Sequence, residues 1–429
     1  MSPSRFDALV VGAGPAGSIA SLVLARGGAR VALLDKATFP RDKACGDLVG
    51  PRGLQLLADL GITVPSSLDV GDMVVVGPTG RRVMLPSFEG RTYPDHATAI
   101  TRTAFDAALR EAAINAGAVP FEGRAHEPLG EDGGLVGFRT DRGDALRADF
   151  VIGADGATSQ VADASGLVDG TRVLWGFAVR TYLDQPVDRP VIVIWERSRW
   201  RAFPGYGWIF PGPDGGANVG IGIGTRADRR AGAGAVRALP DFLEHLHRLG
   251  LVDAVHRRPV GRHLGGWLKM GMVGTSPARG RVLLVGDAAG LVNPLQGEGI
   301  AHAMGSGRAA AAAVLGGADR ASERYRRALA SAHLPYQRIT AAAHAALVDR
   351  PRAVAALGRL LTAPGVGKAV AGGWTIFWNE LLEGAPPGSA RAIASASSLL
   401  GNMGTSRTAI SRWFVTNLPE ESQRREAGG

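Results

Sequence analysis

The chain has 429 residues, 45 % of them hydrophobic, a single cysteine and a formal charge of +9. Such a chain buries a sizeable core across two or three structural units, and one cysteine excludes any intramolecular disulfide. Arginine carries nearly all of the charge, because lysine stands only at Lys36, Lys43, Lys269 and Lys368, and its scatter without interleaved aromatics argues against nucleic-acid binding.

The arginine bias reads either as codon usage or as a weak attraction for anionic headgroups or substrate. No apolar run reaches the ~18 residues of a membrane span, and no charged segment followed by an apolar one and a cleavage site opens the chain. A cytoplasmic protein with at most peripheral membrane contact is expected. The nine histidines show no metal-ligand spacing, so no metal is expected. Oligomeric state is not legible.

Phe6 to Val11 reads as a strand, Ala16 to Ala25 as a helix and Arg30 to Leu34 as a second strand, with glycines in the first turn. This is a βαβ unit. A helix is expected over Thr103 to Gly117, capped by Thr101, followed by strands between Val119 and Ile152. Short alternating runs from Val173 to Gly224, such as Phe177 to Tyr182 and Val191 to Trp195, predict an antiparallel sheet. Buried-strand character returns at Arg281 to Val285, before an Ala-rich helix from Gly299 to Leu315.

The order predicts an α/β fold with an α+β insertion. A discontinuous Rossmann-type cofactor domain is expected over 1–66, 101–172 and 275–333, and an antiparallel-sheet substrate domain over 67–100 and 173–274. A helical C-terminal region is expected over 334–429, broken at Pro364-Gly365 and Pro386-Pro387-Gly388, with a frayed tail from Pro419. In that region Trp374, Phe377 and Trp378 share a helical spacing, which suits core packing better than a lipid entrance.

Gly12-Ala13-Gly14-Pro15-Ala16-Gly17 is a GxGxxG between a strand and a helix. Its glycines let the backbone turn sharply and approach a pyrophosphate, whose charge then sits at a helix N-terminus. Asp35, with Lys36 beside it, ends the second strand where a carboxylate bonds ribose hydroxyls. These residues together predict a dinucleotide site.

Gly153-Ala154-Asp155-Gly156 and Gly286-Asp287-Ala288-Ala289 each follow an apolar strand and resemble the later fingerprints of the aromatic-hydroxylase-like flavoproteins. The resemblance implies non-covalent FAD, with Asp287 on the ribitol chain and Asp155 as a further contact. It also implies that the helix beginning near Gly299 points its N-terminus, through the N–H groups of Gly297 to Ile300, at the flavin N1/C2=O edge. Arg102 matches that group's flavin-contacting arginine.

Three further motifs resemble the geranylgeranyl-reductase group of flavoproteins, which includes the menaquinone-saturating reductases. They are Phe39-Pro40-Arg41-Asp42-Lys43-Ala44-Cys45-Gly46-Asp47 with Pro51-Arg52, Pro204-Gly205-Tyr206-Gly207-Trp208-Ile209-Phe210-Pro211, and Asn293-Pro294-Leu295-Gln296-Gly297-Glu298-Gly299-Ile300. The resemblance spans most of residues 5 to 320. It implies that the loop of Cys45, Gly46 and Asp47 lies beside the isoalloxazine, and that Tyr206 and Trp208 line the cavity before it. Two departures stand out: Leu48-Val49-Gly50-Pro51-Arg52 shifts the glycine that usually follows Cys-Gly-Asp, and Ser159-Gln160-Val161-Ala162 offers no arginine after Asp155-Gly156.

Cys45 reads as a proton donor or as a small buried hydrophobe, and Tyr206 with Trp208 as a cavity wall or as a core pair. Two activities remain open. The first is a reductase delivering hydride from reduced flavin to carbon–carbon double bonds of a hydrophobic prenyl or polyene substrate. The second is a monooxygenase acting on a hydrophobic metabolite through a flavin C4a-hydroperoxide. Gly290 and Glu298-Gly299-Ile300, where hydroxylases of this fold commonly carry Ala-Ala-His and Gly-x-Gly-x-Asn, favour the reductase. The halogenase Trp-x-Trp-x-Ile-Pro lacks its first Trp here. No second GxGxxG follows a strand, so the electron donor is NAD(P)H docking transiently or a reduced carrier protein.

Overall fold

The structure is a computed structural model that describes residues 5–87, 93–195, 205–226, 230–255, 258–347 and 350–367. The apolar runs of the first βαβ unit form strand Phe6–Val11, helix Pro15–Arg26 and strand Val31–Asp35. Four of the last strand's five residues are buried, as a strand covered on both faces requires.

These strands sit in an eight-stranded sheet. Phe6–Val11 lies between Val31–Asp35 and Ala145–Gly153, parallel to both; Val282–Leu284 continues the parallel order on one side and Val119–Glu122 on the other. Helices Pro15–Arg26, Arg102–Asn115 and Ile300–Leu315 pack together over it. Thr101 caps the second of these, its hydroxyl accepting from the Ala104 N–H. The core of this half runs through Leu9, Ile19, Leu33, Phe105 and Leu284, all essentially without exposure.

A second sheet of seven strands has the order Val260–Met270, Leu174–Leu183, Ala217–Arg226, Gly205–Pro211, Val191–Val193, Met73–Val76, Arg82–Leu85. It is antiparallel except where Val191–Val193 meets Met73–Val76. One face is covered by helix Arg230–Arg248, which buries Ala235, Ala238, Leu239, Phe242 and Leu246 at helical spacing. The opposite face looks onto a cleft shared with the first sheet's half.

Two features depart from the sequence expectations. Helix Arg230–Arg248 lies inside 173–274, expected as an antiparallel-sheet domain, because its apolar stripe packs on the large sheet. Of segment 67–100, only Met73–Val76 and Arg82–Leu85 enter the large sheet; Ser67–Val70 and Ala97–Ile100 pair instead with Leu48–Val49 in a separate three-stranded sheet. The C-terminal helices Leu334–Leu347 and Pro351–Leu361 are present, whereas Trp374, Phe377, Trp378, Pro386-Pro387-Gly388 and the tail from Pro419 lie outside the described residues. Among the described residues no helix is long and apolar enough to cross a membrane.

Candidate active site

The first turn shows why each glycine stands where it does. Gly12 has φ +104°, and a Cβ there would lie 2.3 Å from the Ala154 carbonyl oxygen; at Gly17 it would lie 1.8 Å from the Gly12 carbonyl oxygen. Both are demanded by the packing of strand, turn and helix. Gly14 differs, because a Cβ there would meet only Arg41 Nη2, at 3.4 Å. Its missing side chain leaves open space in front of a helix whose N-terminus has no side-chain cap, an arrangement suited to phosphate oxygens. Asp35 braces the turn, its carboxylate accepting from Ala13 N–H at 2.7 Å and Ala37 N–H at 2.8 Å. Lys36 is exposed next to it.

From this turn the cleft runs between the two halves and opens to solvent. Pro15, Lys43, Cys45, Gly46, Arg102 and Asp287 line the near side, with Gly297, Glu298, Gly299 and Ile300 at the start of helix Ile300–Leu315. Leu48, Met73, Ile192, Tyr206, Trp208 and Phe210 line the far side. Lys43 Nζ stands 3.5 Å from Asp287 Oδ2 across the near side. Lys269 is fully buried behind the Gly286–Ala289 turn and donates to the Ala288 carbonyl at 2.8 Å; burial pushes its ammonium down to about 8.

Arg102 is buried and fixed by a two-point ion pair with Asp106, at 2.8 and 2.7 Å, and Asp106 also holds Arg41 at 2.9 Å. The guanidinium thus presents a constant positive charge beside Cys45. Burial nevertheless pushes the Cys45 thiol up, so it stays protonated at neutral pH.

Behind Cys45 lies a buried polar network. Asp47, with φ +59°, accepts from the Tyr182 hydroxyl at 2.6 Å and from Asn218 Nδ2 at 2.9 Å. Asn218 Nδ2 also donates to the Cys45 carbonyl, and Asn218 Oδ1 accepts from Trp208 Nε1 at 2.9 Å. Loss of hydration pushes the Asp47 carboxyl up to about 6, against the opposing pull of Tyr182 and Asn218. Tyr206 donates its hydroxyl to the Gln296 carbonyl and pins the segment that starts helix Ile300–Leu315; burial raises its phenol, which stays neutral.

This geometry fits FAD. Asp287, the uncapped backbone at Gly299 and Arg102 line one cleft, and Pro15, next to the open cradle at Gly14, lines it too. Residues 5–323 match the family described as FAD binding domain. The chain is 35 % identical over 322 residues to the menaquinone reductase of Mycolicibacterium smegmatis, covering 72 % of this chain and 76 % of that one. It is 33 % identical over 325 residues to the geranylgeranyl diphosphate reductase of Rhodobacter capsulatus, covering 72 % and 75 %. The chain belongs to the geranylgeranyl-reductase family of FAD-dependent oxidoreductases.

Solved structures share the fold of this family member at lower identity. A geranylgeranyl bacteriochlorophyll reductase-like protein from Thermoplasma acidophilum superposes with TM-score 0.62 at 21 % identity, over 97 % of this chain and all of that one. A flavin-dependent halogenase superposes with TM-score 0.65 at 21 % identity, over 88 % and 71 %.

Most of the residues singled out in sequence meet at the cleft: Pro15, Cys45, Gly46, Arg102, Tyr206, Trp208, Asp287, Gly297, Gly299 and Ile300 line it. Gly12, Ala13, Ala16 and Gly17 form the supporting turn and the helix start. Two expected cofactor contacts have their carboxylates committed elsewhere. Asp155 accepts from Ser159 Oγ, Gln160 N–H and Val161 N–H and so caps helix Gln160–Ala164, while Asp47 points into the network behind the loop. The reading missed Arg41, Asn218 and Lys269. Arg41 stands inside the Phe39–Asp47 motif, but Asn218 and Lys269 lie in sheet strands outside every motif and carry no local signal.

Proposed function

We propose that this enzyme saturates carbon–carbon double bonds of a hydrophobic prenyl or polyene substrate, with reduced FAD as the reductant. The observation that carries the proposal is the split character of the cleft: the family's flavin-binding features on one wall, and Leu48, Met73, Ile192, Trp208 and Phe210 opposite. Burying apolar chain against that wall contributes about 25 cal/mol per Å2, which favours lipid-like molecules over small acids. The names of the relatives support the same substrate class.

When bound and reduced, FAD supplies the hydride. The protein's own part is to hold and to exclude. Backbone N–H groups at the start of helix Ile300–Leu315 and the Arg102 guanidinium favour negative charge in the cleft. Tyr206 keeps that helix start in place through Gln296, and the Trp208–Phe210 pair, with ring centroids 6.3 Å apart, keeps water from the far wall. Electrons arrive from NAD(P)H docking transiently or from a reduced carrier protein, and a substrate of this kind is met at a membrane surface through peripheral contact.

The test is anaerobic. Chemically reduced holoenzyme incubated with a polyprenyl quinone should yield a product carrying two more hydrogens, with the flavin reoxidised in proportion. Turnover that requires dioxygen and adds oxygen to the substrate would replace this reading with a monooxygenase.

A further inference from the structure

We propose that Glu298, His302 and His333 form a buried proton relay that supplies the cleft with the proton consumed when a double bond is saturated. The proposal rests on the reductase reading above. Adding hydride to one carbon of an alkene leaves the other carbon in need of a proton, and the apolar side chains Leu48, Met73, Ile192, Trp208 and Phe210 offer none. The ionisable side chains on the cleft wall are Lys43, Cys45, Arg102, Tyr206, Asp287 and Glu298. Cys45 and Tyr206 hold their protons more tightly than usual because they are buried, Arg102 is locked to Asp106, and Asp287 faces Lys43. Glu298 is the remaining group, and two buried imidazoles stand behind it.

Glu298 is 9 % exposed; its Oε1 accepts from Ala301 N–H at 2.9 Å, and its Oε2 lies 2.5 Å from Nδ1 of His302, one helical turn on. His302 is 1 % exposed, and its ring meets that of His333 edge to face, with centroids 5.2 Å apart. His333 is buried at the junction of helices Ala321–Ala332 and Leu334–Leu347, directly after the exposed Ser331 and Ala332. Three titratable groups in contact therefore lead from the cleft wall through the interior towards the surface. A carboxylate–imidazole pair kept solely to steady a helix would gain more at the surface, since burial removes both groups from water. A second imidazole behind the pair gives a displaced proton a place to go.

The step balances as follows. Bound reduced FAD would supply the hydride with its two electrons, and the Glu298–His302 pair supplies the one proton it shares, handed over from the Glu298 carboxyl oxygen. Two C–H bonds form, while the π bond and the bond holding the shared proton break. The pair is left as carboxylate and neutral imidazole and regains its proton through His333, finally from solvent, by ring rotation or across one water. The titratable groups facing Glu298 and His302 are Tyr206 from strand Gly205–Pro211, which also faces Cys45 from the loop before Leu48–Val49, Asp287 against Gly299, and His333. Glu298 touches the cleft and is the catalytic member; His302 and His333 act through it.

Glu298→Gln keeps an oxygen for the Ala301 N–H and removes the proton, so the helix start is preserved. Nitrogen-15 NMR of the His302 imidazole, which needs no turnover, should show its titration midpoint falling by about one pH unit in Glu298→Gln, because the carboxylate that favours imidazolium is gone. At matched FAD occupancy, anaerobic single-turnover alkene saturation by the reduced variant should fall roughly 100-fold, within what a general acid contributes. His302→Gln and His333→Gln should slow repeated turnover and enlarge its solvent deuterium isotope effect, which a purely structural role would leave alone. A wild-type rate in Glu298→Gln, or a His302 midpoint that does not move, overturns the relay alone. If wild-type enzyme saturates no alkene, the relay and the reductase reading fall together.

Discussion

A single methyl group added at Gly12 or at Gly14 should separate folding from cofactor binding. At Gly12 the backbone is left-handed and the new Cβ would sit 2.3 Å from the Ala154 carbonyl oxygen, which cannot move without opening the parallel pairing of Phe6–Val11 with Ala145–Gly153. Left-handed strain of roughly 1–2 kcal/mol and overpacking of about 1–3 kcal/mol add to about 2–5 kcal/mol, a large share of ordinary domain stability. At Gly14, φ −74° and ψ −174° suit any residue, and the new Cβ meets only Arg41 Nη2 at 3.4 Å. Gly14→Ala should therefore cost the apoprotein less than about 1 kcal/mol, the range for alanine in place of glycine at a helix N-cap. FAD affinity should nonetheless drop at least tenfold, about 1.4 kcal/mol, because the methyl occupies the approach of the pyrophosphate. Urea unfolding of the apoproteins and fluorescence titration with FAD read the two quantities separately. Native FAD affinity in Gly14→Ala would refute the assignment of this turn, and an unperturbed Gly12→Ala apoprotein would refute the packing argument.

Three further outcomes are expected. Trp208→Phe keeps an apolar wall but strands Asn218 Oδ1, costing about 1–3 kcal/mol, whereas Trp208→Ala should cost about 3–5 kcal/mol and change product regiochemistry while the flavin spectrum stays near native. Indifference of lipophilic-ligand binding to Trp208→Ala would remove this strand from the active site. The Asp47 carboxyl is raised from 3.8 to about 6, so its proton favours the folded state; that stability, on the order of 3 kcal/mol, is full below pH ~4 and lost as pH rises through about 6. Asp47→Asn should flatten this dependence in urea titrations of the apoprotein, and a wild-type pH profile in the variant would contradict the burial argument. Tyr206→Phe frees the Gln296 carbonyl and should weaken FAD binding by about 0.5–1.5 kcal/mol, read by equilibrium titration; unchanged affinity would show that the pin is dispensable.

What the sequence by itself determined was everything written in short-range pattern. Strand Phe6–Val11 has the bounds that its apolar run predicts, the Thr101 cap accepts from Ala104, and the glycine turn, Arg102, Cys45, Tyr206, Trp208 and Asp287 were legible because motif spacing and family resemblance name them. Helix Arg230–Arg248 was not foreseen: it buries Ala235, Ala238, Leu239, Phe242 and Leu246 at helical spacing although it contains Pro240, and packing on the large sheet outweighs that local cost. Tertiary structure alone decided the division of segment 67–100 between two sheets and the partners of the buried polar residues. Asn218 reaches Asp47 across 171 positions, and Lys269 reaches Ala288 from a different sheet. No residue pattern marks such contacts in advance, because a buried polar group takes whatever partner the chain's closure brings within hydrogen-bond distance. The same rule sent Asp47 and Asp155 away from the cleft: each carboxylate found donors in its own loop or helix end or across the sheet, and those contacts fixed where it points.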